Sequence, residues 1–395
     1  IGAYEFVPSP CTLPINTGTT TINATTVCQN TPVILGLTIG AFGSSQTFQW
    51  QTSTSPTGPF TSIGTPMAVP DTIILSSSTL YYQCLVKCAS ASATSNPVLL
   101  NVNAALPAGT YTINSSLPNT YVPGVVGGNF PSFNDAKAAM SCGVVGTGNI
   151  IFSVQPGLNG GVYTEQLKLD SIKGVNVNRQ IVFKGNGNKI TFNPTNSNER
   201  AIIKLNGADY INFDSLKIDA SAATTYGYGV QLINNADSNT IRNCTILAST
   251  TLTSTSFAGV VINASDAGVT TTGATLCDGN IFTNDTITGG YYGVTLVGSA
   301  TQLLNNNKFT NNIIQDFYSY GFYGAGTNNT LIEGNTFTRP TRTIVSTAFP
   351  LYFSTAVSNQ LKISKRLKLY KILISFASIC YMLFLKIKAL EFFSY

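Results

Sequence analysis

A six-residue phrase with apolar residues at its first and last positions recurs five times between residues 213 and 337. Its middle positions are polar or small and usually include Asn. Successive copies begin 28, 41, 27 and 23 residues apart, a spacing typical of stacked structural repeats with insertions. The pattern predicts a solenoid whose coils bury their apolar positions against each other. The copies are Phe213-Asp-Ser-Leu-Lys-Ile218, Ile241-Arg-Asn-Cys-Thr-Ile246, Phe282-Thr-Asn-Asp-Thr-Ile287, Phe309-Thr-Asn-Asn-Ile-Ile314 and Ile332-Glu-Gly-Asn-Thr-Phe337.

A second column of positions advances together with the phrase. After four of the copies comes an aromatic or small residue, then Gly, then an apolar residue. Short runs rich in Val, Ile and Phe between turn residues precede the phrase from Ile150 onward, as is typical of strands. Residues 132–358 are therefore predicted to be an all-β parallel solenoid. The triplets of the second column are Tyr228-Gly-Val230, Ala258-Gly-Val260, Tyr292-Gly-Val294 and Tyr320-Gly-Phe322.

Asn in the middle of the phrase has two predicted roles. Asn243, Asn284 and Asn311 tolerate the left-handed backbone that a sharp turn needs. Their side-chain amides are also expected to stack coil on coil and to bond turn backbone groups. The alternative is that they are ordinary polar turn residues without a ladder.

The N-terminal part of the chain has a different pattern. Alternating apolar runs predict a small β-sandwich over residues 1–104, and they include Cys28, Trp50 and Cys84 in that order. Residues 105–131 are rich in Pro and Gly and are predicted to be a linker. A helix over residues 132–143, with Ser132 as its N-cap and Gly143 at its end, is predicted to cap the solenoid.

Two resemblances follow from these motifs. Tyr82 lies two residues before Cys84, as in immunoglobulin-type sandwiches, and the N-terminal part resembles Ig-like modules of secreted bacterial surface proteins. The cap helix followed by Asn-rich coils resembles right-handed parallel β-helix proteins of the pectin-lyase-like superfamily. This implies a fold class of an Ig-like β-sandwich followed by a right-handed parallel β-helix, a fold that carries both enzymes and binding proteins.

Four of the eight cysteines, Cys11, Cys28, Cys84 and Cys88, lie in the first 88 residues and are the candidate disulfide cysteines. The resemblance favours Cys28 with Cys84, although Cys28 precedes the strand expected to hold it; pairing of Cys28 with Cys88 stays open. Since the chain starts at Ile1 without an initiator Met, we interpret it as a mature or truncated fragment of a secreted protein at the bacterial cell surface.

Composition removes several kinds of chemistry. Histidine is absent, which excludes Ser-His-Asp and Cys-His catalysis and His-containing zinc sites. The formal charge of +5 arises from the last 37 residues, because residues 1–358 hold 14 basic and 15 acidic groups. Nothing in that body predicts nucleic-acid binding, and neither a cofactor nor a metal is expected.

Residues 359–395 form an atypical basic and apolar tail. The uncharged run 372–385 has 14 residues, fewer than the ~20 that span a bilayer. We favour a frameshift artefact over a short membrane anchor, and expect membrane contact only if the 372–385 segment is native.

Charged residues on the predicted outer face are few. Asp214 and Arg242 fall on adjacent coils and predict a surface ion pair. Glu333 lies four coils from Asp214, on the order of 19 Å, too far for the carboxylate pair of a glycosidase. No catalytic residue is therefore assigned.

The aromatic column offers the candidate binding residues. Tyr228, Tyr292 and Tyr320 occupy equivalent positions and are candidates for stacking on sugar rings; the alternative is that these rings stack on one another. We therefore expect a non-catalytic adhesion or glycan-binding protein whose partner is a polysaccharide or cell-surface glycan. The alternative function is that of a polysaccharide lyase or glycoside hydrolase.

Overall fold

A computed structural model describes residues 10–38, 43–354, 358–359, 362–364, 367–370 and 390–392. Side-chain surroundings are described as far as residue 354. The chain divides into two units, Ile1–Ala105 and Leu106–Tyr395.

The N-terminal unit consists of two sheets around one core. The core side chains come from both sheets and include Val33, Leu35, Trp50, Tyr82 and Cys84. The Ig-like assignment of this unit stays a prediction. The three-stranded sheet has the order Thr19–Ile22, Pro32–Thr38, Thr72–Leu75; the six-stranded sheet has the order Thr26–Cys28, Val98–Asn103, Leu80–Cys88, Gln46–Ser53, Thr61–Ser62, with Ala91–Thr94 paired to Leu80–Cys88.

The cysteine pairing differs from the one favoured by sequence. Cys11 is bonded to Cys88, Cys28 is also disulfide-bonded, and Cys84 is a free thiol buried in the core. The prediction that Cys28 pairs with Cys84, and that Cys84 is a disulfide cysteine, is wrong. Cys28 lies in the same sheet as Cys84 and two strands away, on the order of 10 Å, which is beyond the reach of a disulfide.

The second unit is a parallel β-helix in which successive coils add one strand to each of three sheets, and every strand pair in these sheets is parallel. The first sheet has the order Asn129–Phe130, Leu106–Ile113, Val144–Val154, Ile181–Lys184, Ile211–Asp214, Thr240–Arg242, Ile281–Thr283, Lys308–Thr310, Leu331–Glu333, Lys362–Ser364. The second has the order Val162–Thr164, Lys189–Thr191, Lys217–Asp219, Thr245–Leu247, Thr286–Thr288, Ile313–Gln315, Thr336–Thr338, Leu367–Tyr370, Leu390–Phe392. The third has the order Leu167–Asp170, Ala201–Asn206, Gly227–Ile233, Phe257–Ile262, Tyr292–Val297, Tyr320–Ala325, Phe349–Phe353. A short additional sheet contains Leu304–Asn305, Thr327–Asn328 and Ser358–Asn359.

The repeated phrase forms the bend between the first and second sheets. Its first and sixth residues are buried in all five copies, as predicted. Some of these rings stack directly, with 5.0 Å between the centroids of Phe282 and Phe309. The third residue of each copy has a left-handed backbone, which confirms the turn role predicted for Asn. These residues are Ser215, Asn243, Asn284, Asn311 and Gly334, with φ of 57°, 54°, 59°, 56° and 68°.

The buried amide ladder lies one position further along the phrase than predicted. Asn335 Oδ1 accepts the backbone N–H of Asn312 at 2.9 Å, and Asn312 Oδ1 accepts that of Asp285 at 2.8 Å. Asp285 Oδ1 accepts the N–H of Cys244 at 2.8 Å. The prediction that the third-position residues Asn243, Asn284 and Asn311 form this ladder is wrong, because these three side chains are exposed at the turn and the fourth position points inward.

The start of the solenoid also differs from the prediction. Strand Leu106–Ile113 pairs in parallel with Val144–Val154, so the predicted linker 105–131 contains the first solenoid strand. Tyr111 and Phe130 from this segment are buried in the solenoid core, which explains why it is ordered despite its Pro and Gly content.

The cap helix is confirmed over Phe133–Ala139, with Ser132 Oγ accepting the N–H of Asp135. It is shorter than the predicted 132–143, since Met140 already lies outside it. Phe133 packs against the ring of Tyr163 in the first coils, with 5.3 Å between centroids.

The tail is described only in part. Backbone strands at Lys362–Ser364 and Leu367–Tyr370 extend the first and second sheets past residue 358. The segment 372–385 lies outside the described residues, so both interpretations of the tail stay predictions. Within the described residues, no helix is long and apolar enough to cross a membrane.

Candidate ligand-binding face of the third sheet

The outer face of the first sheet carries the predicted ion pair, and Lys184 precedes Asp214 in the same column. Arg242 Nη2 lies 2.8 Å from Asp214 Oδ2, and Arg242 Nε donates to the same oxygen at 3.0 Å. Burial alone would raise the pKa of Asp214, but hydrogen bonds from Asn243 and Ser215 and the charge of Arg242 outweigh it and lower the pKa. On the next coils, the outward positions of this column hold Thr283, Thr310 and Glu333. Arg242 therefore has one carboxylate partner here and forms a surface ion pair, as predicted.

The outer face of the third sheet carries more chemistry. At its N-terminal end, Lys204 Nζ contacts Asp266 Oδ2 at 2.9 Å and Glu199 Oε2 at 3.4 Å. Lys168 Nζ binds the other oxygen of Glu199 at 3.2 Å. The Lys204 side chain is only 3% exposed, so this cluster is covered by the loops that supply its carboxylates.

Sequence reasoning missed the Lys204 cluster. Glu199 precedes strand Ala201–Asn206, and Asp266 follows strand Phe257–Ile262, so both acids lie in loops outside the repeated phrase. A repeat pattern does not predict that these two loop residues meet, because insertions between coils set their separation along the chain. Only the folded chain brings them onto one lysine.

The C-terminal end of the same face is aromatic. Tyr292, Tyr320 and Phe349 are in register on successive strands, and their rings stack with centroids 5.1 and 5.2 Å apart. Tyr323 and Tyr352 form a second stacked column with centroids 5.4 Å apart. We call this surface the tyrosine terrace. It consists of Tyr291, Tyr292, Tyr318, Tyr320, Tyr323, Phe349 and Tyr352.

The three predicted stacking tyrosines have different surroundings. Tyr228 is completely buried and its hydroxyl accepts a hydrogen bond from Arg200 Nη1 at 3.3 Å. Its prediction as an exposed sugar-stacking residue is wrong, because the loop residue Val269 and neighbouring apolar side chains pack around it. Tyr292 is 8% exposed, and Tyr320 is half-buried with one ring face on Tyr292 and the other on Phe349.

The terrace presents ring edges and phenol groups more than ring faces, because stacking within the columns covers the faces. Burial, and to a smaller extent the neighbouring phenols, raises the pKa of both Tyr292 and Tyr320. These hydroxyls therefore stay protonated at neutral pH and are able both to donate and to accept hydrogen bonds. Among the described residues, no group of three or more His, Cys, Asp or Glu side chains is arranged to hold a metal ion.

No protein-family model matches the chain, and neither does any curated protein. Among solved structures, endopolygalacturonase I from Stereum purpureum in complex with two galacturonate is 10% identical, with a TM-score of 0.29 over 68% of this chain and 82% of that chain. The catalytic domain of a GH87 alpha-1,3-glucanase in complex with nigerose is 9% identical, with a TM-score of 0.17 over 89% of each chain. The parallel strand pairing defines the β-helix.

Proposed function

We propose that this protein is a non-catalytic glycan-binding or adhesion protein and that the tyrosine terrace is its binding surface. The observation that carries the proposal is the cluster of partly exposed phenols on neighbouring coils, which consists of Tyr291, Tyr318, Tyr320, Tyr323 and Tyr352. Parallel strands place equivalent side chains ~4.8 Å apart, so the phenols of Tyr323 and Tyr352, which are in register, lie on adjacent coils. A linear polysaccharide repeats its hydroxyls at a comparable interval and is able to bond several phenols in succession.

The proposed binding mode follows from the packing of the rings. Because Tyr320 is covered on both faces, its contribution to binding comes from its hydroxyl. Tyr291 and Tyr323 are half-buried neighbours of Tyr320, at centroid distances of 6.2 and 5.6 Å. The three rings therefore form one cluster in the half-buried part of the terrace.

The test removes these hydroxyls while keeping the rings. The triple variant Tyr291→Phe, Tyr320→Phe, Tyr323→Phe preserves aromatic packing and deletes three donor–acceptor groups. Binding to a glycan array, followed by calorimetry with the best ligand, should show a loss of affinity of about tenfold to 100-fold, as expected for three hydrogen bonds. Tyr228→Phe is the matched control, since that hydroxyl is buried beside Arg200. Equal affinity of the triple variant and the control would eliminate the terrace as the binding surface.

A second candidate function, glycoside hydrolysis, is favoured by the Lys204 cluster. Glu199 Oε2 and Asp266 Oδ2 both contact Lys204 Nζ, at 3.4 and 2.9 Å, so these oxygens are at most about 6.3 Å apart. Carboxylate pairs in glycosidases are separated by roughly 5–9.5 Å. Against this function, the lysine between the acids is buried and neutralises charge that catalysis would need.

The hydrolase alternative has its own assay. A panel of neutral and acidic polysaccharides would be incubated with the protein, and new reducing ends would be measured. Hydrolysis that disappears in both Glu199→Gln and Asp266→Asn would replace the non-catalytic proposal. Tyr228→Phe again serves as the control for a packing change near the cluster.

The remaining parts of the proposal concern location and the N-terminal unit. We assign the protein to the secreted or cell-surface class of β-helix proteins of the pectin-lyase-like type, with the N-terminal unit as an Ig-like module. The bond between Cys11 and Cys88 supports an oxidising compartment, where disulfides form and persist. Cell fractionation with an antibody against the N-terminal unit would test this location.

A further inference from the structure

Two buried arginines lie beside the terrace in the segment that connects strands Thr336–Thr338 and Phe349–Phe353. Arg339 is 7% exposed and Arg342 is 6% exposed. Among the described residues, neither guanidinium forms an ion pair. Buried charges are normally paired, so the hydrogen-bond partners of each guanidinium decide whether it is satisfied within the protein.

Each of the three side-chain nitrogens of Arg342 is bonded to a backbone carbonyl. Its Nη1 donates to the carbonyl of Asp316 at 3.0 Å, its Nη2 to that of Leu252 at 2.8 Å, and its Nε to that of Ile344 at 2.9 Å. The guanidinium therefore ties three segments of the solenoid surface together. Its role is structural and needs no ligand.

The nearby carboxylate of Asp316 is also fully engaged. Its Oδ1 accepts the backbone N–H groups of Thr341 and Arg342, both at 2.9 Å, and its Oδ2 accepts the Thr341 hydroxyl at 2.6 Å. This carboxylate thus holds the turn at residues 341–342. It is not bonded to Arg339.

Arg339 is the group left incomplete. Its Nη1 donates to the carbonyl of Ser346 at 3.0 Å. Its Nε and Nη2 are buried and have no hydrogen-bond partner among the described residues. These two N–H groups form one edge of the planar guanidinium, the edge that binds two oxygens of a carboxylate or a sulfate side by side.

We propose that the Nε–Nη2 edge of Arg339 is a binding site for an oxyanion, either a carboxylate or a sulfate group. Such a ligand completes the hydrogen bonds of Arg339 and supplies negative charge beside the two guanidinium groups. The neighbouring Pro340, Thr341, Thr343 and Ile344 are exposed, so the site lies just below the surface. Burial and the charge of Arg339 lower the pKa of Arg342 to about 10, which agrees with an excess of positive charge here.

The Arg339 site lies near the terrace, but its proposed binding of an oxyanion does not require the terrace to bind a ligand. The guanidinium carbon of Arg342 lies 5.0 Å from the centroid of the Tyr318 ring, and Tyr318 contacts Tyr291 with 5.4 Å between centroids. The segment that holds Arg339 and Arg342 therefore lies beside the terrace. The oxyanion site is nevertheless defined by Arg339 alone, and it stands even where the terrace binds no glycan.

The experiment uses the full chain and three probes at equal ionic strength: sodium acetate, sodium glucuronate and sodium sulfate, each compared with sodium chloride. Binding is followed by the shift of the Arg339 Nε–H signal in proton–nitrogen NMR spectra, and by the change in Tm. The variants are Arg339→Gln, Arg339→Lys and, as the matched control, Arg179→Gln. Arg179 is a partly exposed arginine that also bonds backbone carbonyls, with Nε donating to Gly146.

We expect saturable binding of at least one probe to the unaltered protein and to the Arg179→Gln variant. Arg339→Gln should weaken it by at least about 100-fold, since two charge-assisted hydrogen bonds are lost. Arg339→Lys, which keeps the charge and loses the planar edge, should weaken it about tenfold. Preference for acetate and glucuronate assigns a carboxylate, and preference for sulfate assigns a sulfate group.

Two results would overturn the proposal. The first is that no probe shifts the Arg339 Nε–H signal of the unaltered protein. The second is that every probe raises Tm equally in the unaltered protein, Arg339→Gln and Arg339→Lys, which is the general effect of excluded salts. If Arg339→Gln fails to fold, the Arg339→Lys comparison and the NMR titration still decide the question.

Discussion

Two neighbouring columns of residues on the third sheet lie one position apart along each strand and face opposite sides of it. The inner column keeps one kind of chemistry: it is aliphatic or aromatic on every coil and completely buried from Ile203 to Phe322. The outer column changes from coil to coil. Its members are Lys204, Gln231, Val261, Thr295, Tyr323 and Tyr352.

The difference shows which constraint acts on each side of the sheet. The inner column is set by close packing, in which each coil must match the next. In the outer column, Gln231 and Thr295 each leave a buried oxygen without a hydrogen bond among the described residues. The inner side is therefore constrained by packing between coils, whereas the chemistry of the outer side varies from coil to coil.

The largest effect is expected from breaking an inner stack. Phe309 is completely buried and stacks on Phe282. Its ring also packs edge to face with that of Phe322, with 4.9 Å between the ring centroids. Phe309→Ala should reduce the free energy of unfolding by about 3–5 kcal/mol, the usual effect of emptying a core aromatic site. Urea denaturation followed by circular dichroism measures it.

The outward neighbour Thr310 is the control for this prediction. Its hydroxyl donates to Thr283 Oγ1 at 2.8 Å on the outer face. Thr310→Ala should change the free energy of unfolding by about 1 kcal/mol or less. Similar losses for the two variants would contradict the distinction between the inner and outer sides.

The second largest effect is expected from breaking the amide ladder. Asn312→Leu keeps the volume roughly constant but leaves the N–H of Asp285 and the carbonyl of Phe282 without their partners. Two buried unsatisfied groups should lower the free energy of unfolding by about 2–4 kcal/mol. Asn311→Gly, at the exposed left-handed position next to it, is the control and should stay within about 0.5 kcal/mol. A variant Asn312→Leu as stable as that control would show that the ladder does not stabilise the fold.

The third prediction concerns the acid that occupies a ladder position. Burial raises the pKa of Asp285 well above its usual range, and Asp285 Oδ2 has no hydrogen-bond partner among the described residues. Asp285→Asn should therefore increase the free energy of unfolding at pH 7 by about 1–2 kcal/mol, because an amide completes the ladder as Asn312 and Asn335 do.

The pH dependence gives the sign of this effect. The folded state keeps the proton of Asp285 at pH values where the unfolded state has lost it, so stability falls as pH rises above about 4. Denaturation midpoints of the unaltered protein and Asp285→Asn should therefore agree at acid pH and separate as pH rises. A separation that grows toward low pH would mean that Asp285 is ionised in the folded protein.

Much of the fold follows from the sequence because successive coils repeat their buried positions even where insertions change the length of the coil. The five phrases place their first and sixth residues correctly, and Ser132 begins the cap helix as predicted. The linker prediction failed because Pro107 and Gly109 hide a strand whose alternation is carried by Tyr111 and Ile113. The ladder was misplaced by one position because the third and fourth positions of the phrase both hold polar residues in several copies, as in Asn311-Asn312 and Asn284-Asp285, and only backbone geometry separates their roles.

The sites were less predictable because loops build them. The equivalence of Tyr228, Tyr292 and Tyr320 along the chain is real, but the burial of Tyr228 depends on a loop whose path is not periodic. The Lys204 cluster and the incomplete edge of Arg339 likewise depend on contacts between insertions. A repeat pattern predicts the positions that recur from coil to coil, and these sites are built from residues that do not recur.

The smallest effect is expected on the outer face, where Asp214 has the opposite pH behaviour to Asp285. Hydrogen bonds and Arg242 lower the pKa of Asp214 in spite of its partial burial. Its contribution to stability is therefore present above about pH 4 and is lost as pH falls through the lowered folded-state pKa. Asp214→Asn should reduce the free energy of unfolding at pH 7 by about 0.5 kcal/mol, the modest value of an exposed pair, and 1 M salt should remove most of that difference. Paired denaturation curves at pH 7 and pH 3 would measure it. At pH 7 the substitutions at Asp214 and Asp285 should change the free energy of unfolding in opposite directions, and both changes should shrink in acid. Changes of the same sign at pH 7 would refute the contrast between the two sides of the coil.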